Sequence, residues 1–300
     1  MLNKSIYNLN DLCEGTVIKR PSKHIKSPYV ADVITKNEDD NEVLAQEVLA
    51  HSACLGCCGL ADKGATILMA PMQNKANKCQ YAIYLSVYKE LKKELKKEIE
   101  IIVGIHPKLA EILTENALTK NLLSTLQNIK SYQREKVYKL ATPLGNVDSR
   151  FDFSGIDADG IPFIMEVKNV PLADYEDLTE KERKKMDFSD RAFNTKVAYF
   201  PDGYRKKKPD TVSPRALKHI QELIIIKNNS KQDSKTRCIM CYVIQRNDVN
   251  RFTASVIDDQ YRQAVKDAIK AGVEIITMVV EWNKEGVATF IRDDLPIELV

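Results

Sequence analysis

Apolar and polar positions change period along this chain. Up to about residue 90 they come in short runs: EGTVIKR (14–20), SPYVADVIT (27–35), EVLAQEV (42–48), ATILMAP (65–71) and CQYAIYLSVY (79–88), with Pro, Gly and Asn between them. Short strands at regular spacing predict a small all-β barrel, and the acidic NEDDNE at 37–42 reads as a hairpin loop. YKELKKELKKEIE (88–100) carries i,i+4 Glu–Lys pairs, which predict a charged helix bridging two parts of the chain. HPKLAEILTENALTKNLLSTLQ (106–127) repeats Leu and Ile at helical spacing, with Pro107 at its start. Then VDSRFDFSGI and IPFIMEVKNV, separated by a turn that ends in Asp159-Gly160, predict a β-hairpin over 147–170. Two long apolar runs follow, RCIMCYVIQR (237–246) and VEIITMVVEW (273–282), of the kind that strands covered on both faces require. They alternate with helical patterns at 213–226 and 258–272, the latter closed by Gly272 as a C-cap. Helix–strand alternation with apolar strands means an α/β layer.

Length and composition fit two modest domains or one large one. Of 300 residues 44% are hydrophobic and 29% charged, enough for an ordinary core in each half. The expected architecture is an all-β OB-like barrel over 1–100, ending in the charged helical connector, and an α/β domain with a central mixed sheet over 101–300. A net charge of +3 does not demand a polyanionic partner, but the basic residues are clustered. Lys19, Arg20, Lys23, Lys26 and Lys36 accompany Tyr29 on or beside the first two strands. They fit either a groove that tracks phosphates and stacks a base, or a solvated Lys-rich surface. Arg205 through Lys208 fit phosphate contacts, a nuclear-import patch or a solvated loop. No apolar run approaches the ~20 residues of a membrane span, and MLNKSIYNLN is no signal peptide. Seven Cys, an odd number without secretory features, predict reduced thiols in an intracellular compartment, cytoplasmic or nuclear. His51, Cys54, Cys57 and Cys58 invite a zinc reading, although zinc sites prefer CxxC with a second, distant pair; buried small thiols are the other reading. Cys238 and Cys241 in mid-strand point to opposite faces and read as core.

The chemistry gathers on the hairpin. Alternation puts Phe151 and Phe153 on one face of the first strand, with Arg150, Asp152 and Ser154 on the other. On the second strand Glu166 and Lys168 project together, away from Met165 and Val167. Two carboxylates brought close repel unless a proton or cation intervenes, and a hard divalent ion takes oxygen ligands. A neighbouring Lys then positions a water or steadies charge on a phosphate. That set suits phosphodiester hydrolysis. A cross-strand salt bridge on a solvated face accounts for the same residues, at under about 1 kcal/mol.

SRFDF (149–153) followed by MEVKNV (165–170) resembles the core signature of the sugar fermentation stimulation protein (SfsA) family. VGIHPKLAEILTENAL (103–118), REKVY (134–138), FPD (200–202), R-x-x-K-H-I-x-E-L (215–223), QR (245–246) and a D-x-x-Y…A…GVE run (258–274) fall in that family's order. The resemblance covers nearly the whole chain, best from about Ile102 onward. It implies an OB-like barrel that binds DNA, then a domain of the PD-(D/E)xK restriction-endonuclease fold. Asp152 and Glu166 match the carboxylates that hold Mg²⁺ or Mn²⁺, and Lys168 matches the motif lysine. Glu135 matches an acidic position expected at a helix end. Arg150 stands beside Asp152, while Arg215, Lys218 and His219 share a helical face that could meet backbone phosphates, with Glu222 one turn beyond. An ordinary amphipathic helix with Leu217, Ile220 and Leu223 in the core is compatible with that face. The resemblance breaks in the 51–64 loop: His51 and Gly56 hold their places, but the family's Asn and Arg positions are Cys or Ala. The segments 174–199 and 203–214 are longer than usual, charged, and expected at the mouth of the site.

Three functions follow from this. The first is a Mg²⁺-dependent nuclease with a DNA-binding barrel. The second is a DNA-binding regulatory protein with little or no cleavage. The third is a small-molecule metal-dependent enzyme using the same carboxylates. Nucleic acid, DNA before RNA, is the expected partner, and a homodimer is compatible because nucleases of this fold often pair.

Overall fold

The computed structural model describes residues 4–39, 42–55, 57–74, 76–92, 97–202, 210–233 and 235–299; within these the side chains of 36–39, 42–45, 180 and 230–233 are left aside. Gly56 and the basic run from Arg205 to Lys208 lie outside the described residues, as does the side chain of Lys36. The protein is a sheet-dominated α/β structure with few helices.

The first region holds β2 (Cys13–Lys19), β3 (Val30–Asp39) and β4 (Glu42–His51), followed by β5 (Thr66–Pro71) and β6 (Tyr81–Lys92). They pair antiparallel in the order β4-β3-β2-β5-β6. A short parallel contact, Ala50 with Tyr81 and His51 with Ala82, closes the five into a ring. Inside it lie Val17, Val33, Ile67, Met69 and Ile83, all at most 1% exposed. β1 (Ser5–Asn8) stands apart from the ring and pairs with the last strand, β16 (Val287–Arg292).

Among the described residues of 88–100 the expected connector helix is absent. β6 runs on to Lys92 and β7 (Lys97–Gly104) returns beside it, from Lys92↔Lys97 to Leu85↔Gly104, with residues 93–96 outside the description. The i,i+4 charge pattern that reads as helix is overridden because Glu90 and Lys92 find their partners far away in sequence. Tyr175 OH donates to Glu90 Oε1 at 2.7 Å, and Lys196 Nζ lies 3.0 Å from Glu90 Oε2. Tertiary pairing outweighs helix pairs worth a few tenths of a kcal/mol each.

β7 leads into the other half through one pairing with β15 (Glu274–Trp282), and the sheet continues β15-β13-β10-β9-β8. These strands are β8 (Ser131–Thr142), β9 (Gly145–Ile156), β10 (Pro162–Val170) and β13 (Arg237–Ile244). The central three are parallel, the rest antiparallel. A smaller sheet joins β11 (Ala173–Asp174), β12 (Lys196–Phe200) and β14 (Val249–Ala254).

Each face of the central strands has its own core. α1 (Pro107–Thr119) covers one face with Leu109, Leu113 and Ala117, against Met165, Ile239, Cys241 and Val243. α3 (Pro214–Asp233) and α4 (Asp259–Ala271) cover the other with Ile220, Leu223 and Val265, against Met240 and Tyr242. Cys238 and Cys241 fall on opposite faces, fully buried, and burial pushes both thiols up to about 12. α4 opens on Asp258, whose carboxylate accepts from Tyr261 N, and closes on Gly272 at φ 93°, a left-handed cap that glycine adopts freely. No helix among the described residues is long and apolar enough to cross a membrane.

Candidate metal centre

The hairpin forms as its pattern predicts, with Gly160 at φ 85° in the turn. Main-chain pairing between β9 and β10 runs from Ile156↔Pro162 only to Phe153↔Met165. One residue later the carboxylate of Asp152 takes the place of a backbone acceptor, its Oδ2 receiving Val167 N at 2.7 Å. β9 then leaves β10 while keeping its pairing with β8. Phe153 stays in the α1 core but Phe151 enters the α3 core, so the expected common face for the two rings is corrected. The separation opens a cleft of about 560 Å³.

Asp152, Glu166 and Lys168 all line it. Glu166 is 2% exposed; its Oε1 receives both Lys168 Nζ and His219 Nδ1, while its Oε2 has no hydrogen-bond partner. Burial first, then the Glu166 charge, raises Asp152 to about 7, against the pull of Lys168 and of Val167 N–H. Burial also works to raise Glu166, but Lys168 and then His219 outweigh it and hold that carboxyl below its ordinary value. One acid is therefore ionised and the other shares a proton near neutrality, the split expected of two carboxylates in one site. A divalent cation fits this donor set: an orphaned buried carboxylate oxygen beside a second carboxylate that resists ionisation without a counter-charge.

The pattern reading missed Glu111. It projects from α1 into the same cleft, where its charge adds to the rise of Asp152, and it accepts from Arg134 NH2 at 3.0 Å. The helix was read only for its apolar repeat; its acidic positions were the available signal. The roof comes from the ring, through Ala53, Cys54 and Leu55.

Other expected residues lie elsewhere. Glu135 is not at a helix end but in β8, at φ 54°, and is 3.2 Å from Arg150 NH1 on an exposed surface outside the cleft. It falls between the pairs Arg134↔Phe153 and Lys136↔Phe151, where the strand departs from regular geometry. His219 is buried, 4% exposed, and turned to Glu166, whereas Arg215 and Lys218 on the same helix are exposed. Glu222 Oε1 accepts Asp148 N at 3.0 Å and lies 3.7 Å from Lys218 Nζ.

On the ring, Arg20 is committed to structure, donating to Pro28 O at 2.8 Å and Cys54 O at 2.5 Å. Lys23 pairs with Glu47 at 2.7 Å. Lys19 and Lys26 are exposed, as is Tyr29, which stacks on His51 at 6.4 Å. His24, Asp32 and Glu47 offer ligand atoms within 4.8 Å of one another, but Asp32 already takes Ser22 Oγ and Lys23 N, and Lys23 neutralises Glu47. Cys54 and Cys57 form a disulfide with Cα atoms 5.9 Å apart, which corrects the expectation of seven reduced thiols. Burial pushes the remaining loop thiol, Cys58, up to about 11.

Residues 189–286 match the family described as "Sugar fermentation stimulation protein RE domain". The chain is 27% identical over 254 residues to the sugar fermentation stimulation protein homolog of Jannaschia sp. (strain CCS1), across 84% of this chain and 85% of that protein. The homolog of Maricaulis maris (strain MCS10) is 25% identical over 279 residues, 92% and 93% of the two chains. These matches support the sugar fermentation stimulation protein family. Its fold is that of Pyrococcus furiosus SfsA, solved in complex with Ca²⁺, with a TM-score of 0.68 at 18% identity over 98% of this chain and 99% of that one. The resemblance drawn from SRFDF and MEVKNV leads to the same family as these matches.

Proposed function

We propose that this SfsA-family protein binds DNA and hydrolyses phosphodiester bonds with a divalent ion, Mg²⁺ or Mn²⁺, held by Asp152 and Glu166. The observation that carries the reading is Glu166 Oε2, buried and without a partner, beside a carboxyl raised to about 7. The P. furiosus relative was solved with Ca²⁺, an ion with the same preference for oxygen ligands. A divalent ion at this place supplies Lewis-acid polarisation of the phosphate and a lowered pKa for bound water. Lys168, in reach of Glu166, steadies negative charge that develops on the phosphate. Asp152 gives up its proton when a cation binds, so affinity for the ion rises with pH up to about 7. Glu111 adds a third acid to the cleft, as a further ligand or as the acceptor of a water proton. Arg215, exposed at the cleft wall, orients the strand.

The finer architecture belongs to the same proposal. The ring order, with its third and fifth strands parallel, supports an OB-like barrel over 1–100. Carboxylates on adjacent strands, with Glu166-x-Lys168, support a PD-(D/E)xK domain over 101–300. Of the ring residues singled out, Lys19, Lys26 and Tyr29 are exposed among the described residues and available to a nucleic acid.

One observation favours a second reading, DNA binding with little cleavage. Lys168 and His219 both occupy Glu166 Oε1, leaving one oxygen of that carboxylate for an ion. The test is plasmid and linear DNA incubated with Mg²⁺ or Mn²⁺. Wild type should cut, and Asp152→Asn and Lys168→Ala should lose at least about a hundredfold in rate. Equal cutting by all three proteins means a contaminant and ends the nuclease reading; salt-sensitive binding without cutting selects the second one.

A further inference from the structure

His219 borders a second cleft, of about 500 Å³, between β9 and the start of α3. Arg215 lines both clefts, so the two adjoin at its side chain. The other walls are Asp148, Ser149, Arg150, Pro214 and Lys218. Three features converge here. Ser149 is 7% exposed, yet its hydroxyl has no hydrogen-bond partner, and a buried hydroxyl is rarely left in that state. α3 begins at Pro214, so the N–H groups of Arg215 and Ala216 belong to the first turn, where no intrahelical acceptor exists. Three cations stand around the opening. Arg215 has no acidic partner among the described residues, and Arg150 and Lys218 have side chains 58% and 54% exposed. Glu135 lies by Arg150 and Glu222 behind Lys218, whose Nζ also donates to Asp148 O at 2.9 Å, while the Asp148 carboxylate on the cleft wall is 3.6 Å from Lys139.

We propose that this cleft is a phosphate-binding subsite, separate from the place where the bond is cut. It takes a phosphate of the nucleic-acid strand next to the scissile one. A strand phosphodiester carries two charged oxygens and two ester oxygens in a tetrahedron, and here a guanidinium, a hydroxyl and a helix N-terminus border one cleft. A carboxylate holds both its oxygens in one plane and spans such a set of donors less evenly. The strand as the source of the phosphate rests on the function proposed above; the affinity for phosphate does not. Holding a neighbouring phosphate fixes the register of the strand across Asp152 and Glu166.

The test uses the full chain. Inorganic phosphate is titrated by calorimetry at constant ionic strength against wild type, Ser149→Ala, Ser149→Thr and Arg215→Ala. Saturable binding is expected, weakened about tenfold by Ser149→Ala and by Arg215→Ala and kept by Ser149→Thr. Arg215 is exposed, so its variant keeps the test valid if Ser149→Ala does not fold. A second arm scans oligonucleotides carrying single neutral methylphosphonate linkages, with and without a terminal phosphate. One position away from the cut should cost wild type about tenfold in affinity and cost Ser149→Ala nothing. A response only to the terminal phosphate makes a strand end the source, which keeps the subsite and moves the register. Phosphate bound equally by all four proteins, or by none, overturns it. Hydroxyl-dependent phosphate binding without any oligonucleotide binding keeps the subsite and removes the nucleic-acid reading. Cutting without either phosphate effect does the reverse.

Discussion

Glu90, Lys196, Arg246 and Asp248 are gathered out of water in this protein, and so are Asp152, Glu166, Lys168 and His219, yet the two groups are finished differently. In the first, Arg246 grips both oxygens of Asp248 at 2.6 and 2.7 Å and donates to Pro171 O at 3.2 Å. Lys196, 1% exposed, reaches Asp248 at 2.7 Å and Glu90 at 3.0 Å and lies 3.8 Å from the centre of the Phe193 ring. Lys92 completes it against Glu90 at 2.6 Å. Both carboxyls are held below their ordinary values in spite of burial. That cluster fastens β6 of the ring to β12 and to the turn after β13. In the second, Glu166 Oε2 is orphaned and Asp152 is raised. The first cluster is complete with protein atoms alone. The second leaves a buried carboxylate oxygen without a partner. Burial of charge is therefore no sign of a reactive site by itself; incomplete pairing is.

The largest effect should come from breaking the complete cluster. Asp248→Asn leaves Arg246 buried without its acid and Lys196 with Glu90 alone, and urea denaturation should find a loss of about 3–5 kcal/mol. A loss under about 1 kcal/mol would mean that the network is not a fastening.

Asp152→Asn should do the opposite when no metal is present. Asp152 is ionised in the unfolded chain above about 4, but in the folded protein only above about 7. Between those values the folded state holds the extra proton, so its stability falls as pH rises through that window and stays low above it. Removing the carboxyl should stabilise the metal-free protein at pH 8 by about 2 kcal/mol, allowing for its partial exposure, and change little at pH 4. Saturating Mn²⁺ should reverse the order. Wild type gains about 2.7 kcal/mol at a hundredfold excess over Kd and the variant gains far less. Thermal melts at the two pH values, with chelator and with Mn²⁺, read both signs. An unchanged melt with Mn²⁺ in both proteins would count against a metal here.

The smallest effect belongs to Glu135, outside both clusters. Glu135→Gly gives up an exposed ion pair and chain stiffness, under about 1 kcal/mol each, and relieves a left-handed backbone worth about 1–2 kcal/mol, so the terms offset. Stability and the Mn²⁺ response should both stay within experimental error of wild type. A lost Mn²⁺ response would bring Glu135 back as a ligand.

Much of this was written locally. The Asp159-Gly160 turn, the alternation in VDSRFDFSGI, the Asp258 and Gly272 caps and the apolar runs of β13 and β15 each depend on neighbours within a few residues. Their elements therefore form as the sequence predicts. The 88–100 stretch does not, because its charges are balanced by Tyr175 and Lys196, about a hundred residues away, and no local window contains them. The sequence by itself determined that two acids and a lysine would stand on adjacent strands. Only the tertiary structure decided that β9 would leave β10 at Asp152. From that point a side chain, rather than the main chain, meets Val167. The cleft, the raised carboxyl, and the arrival of Glu111 and His219 from helices all follow from that one departure, because strand divergence is set by what packs on either face and not by the order of residues along one strand.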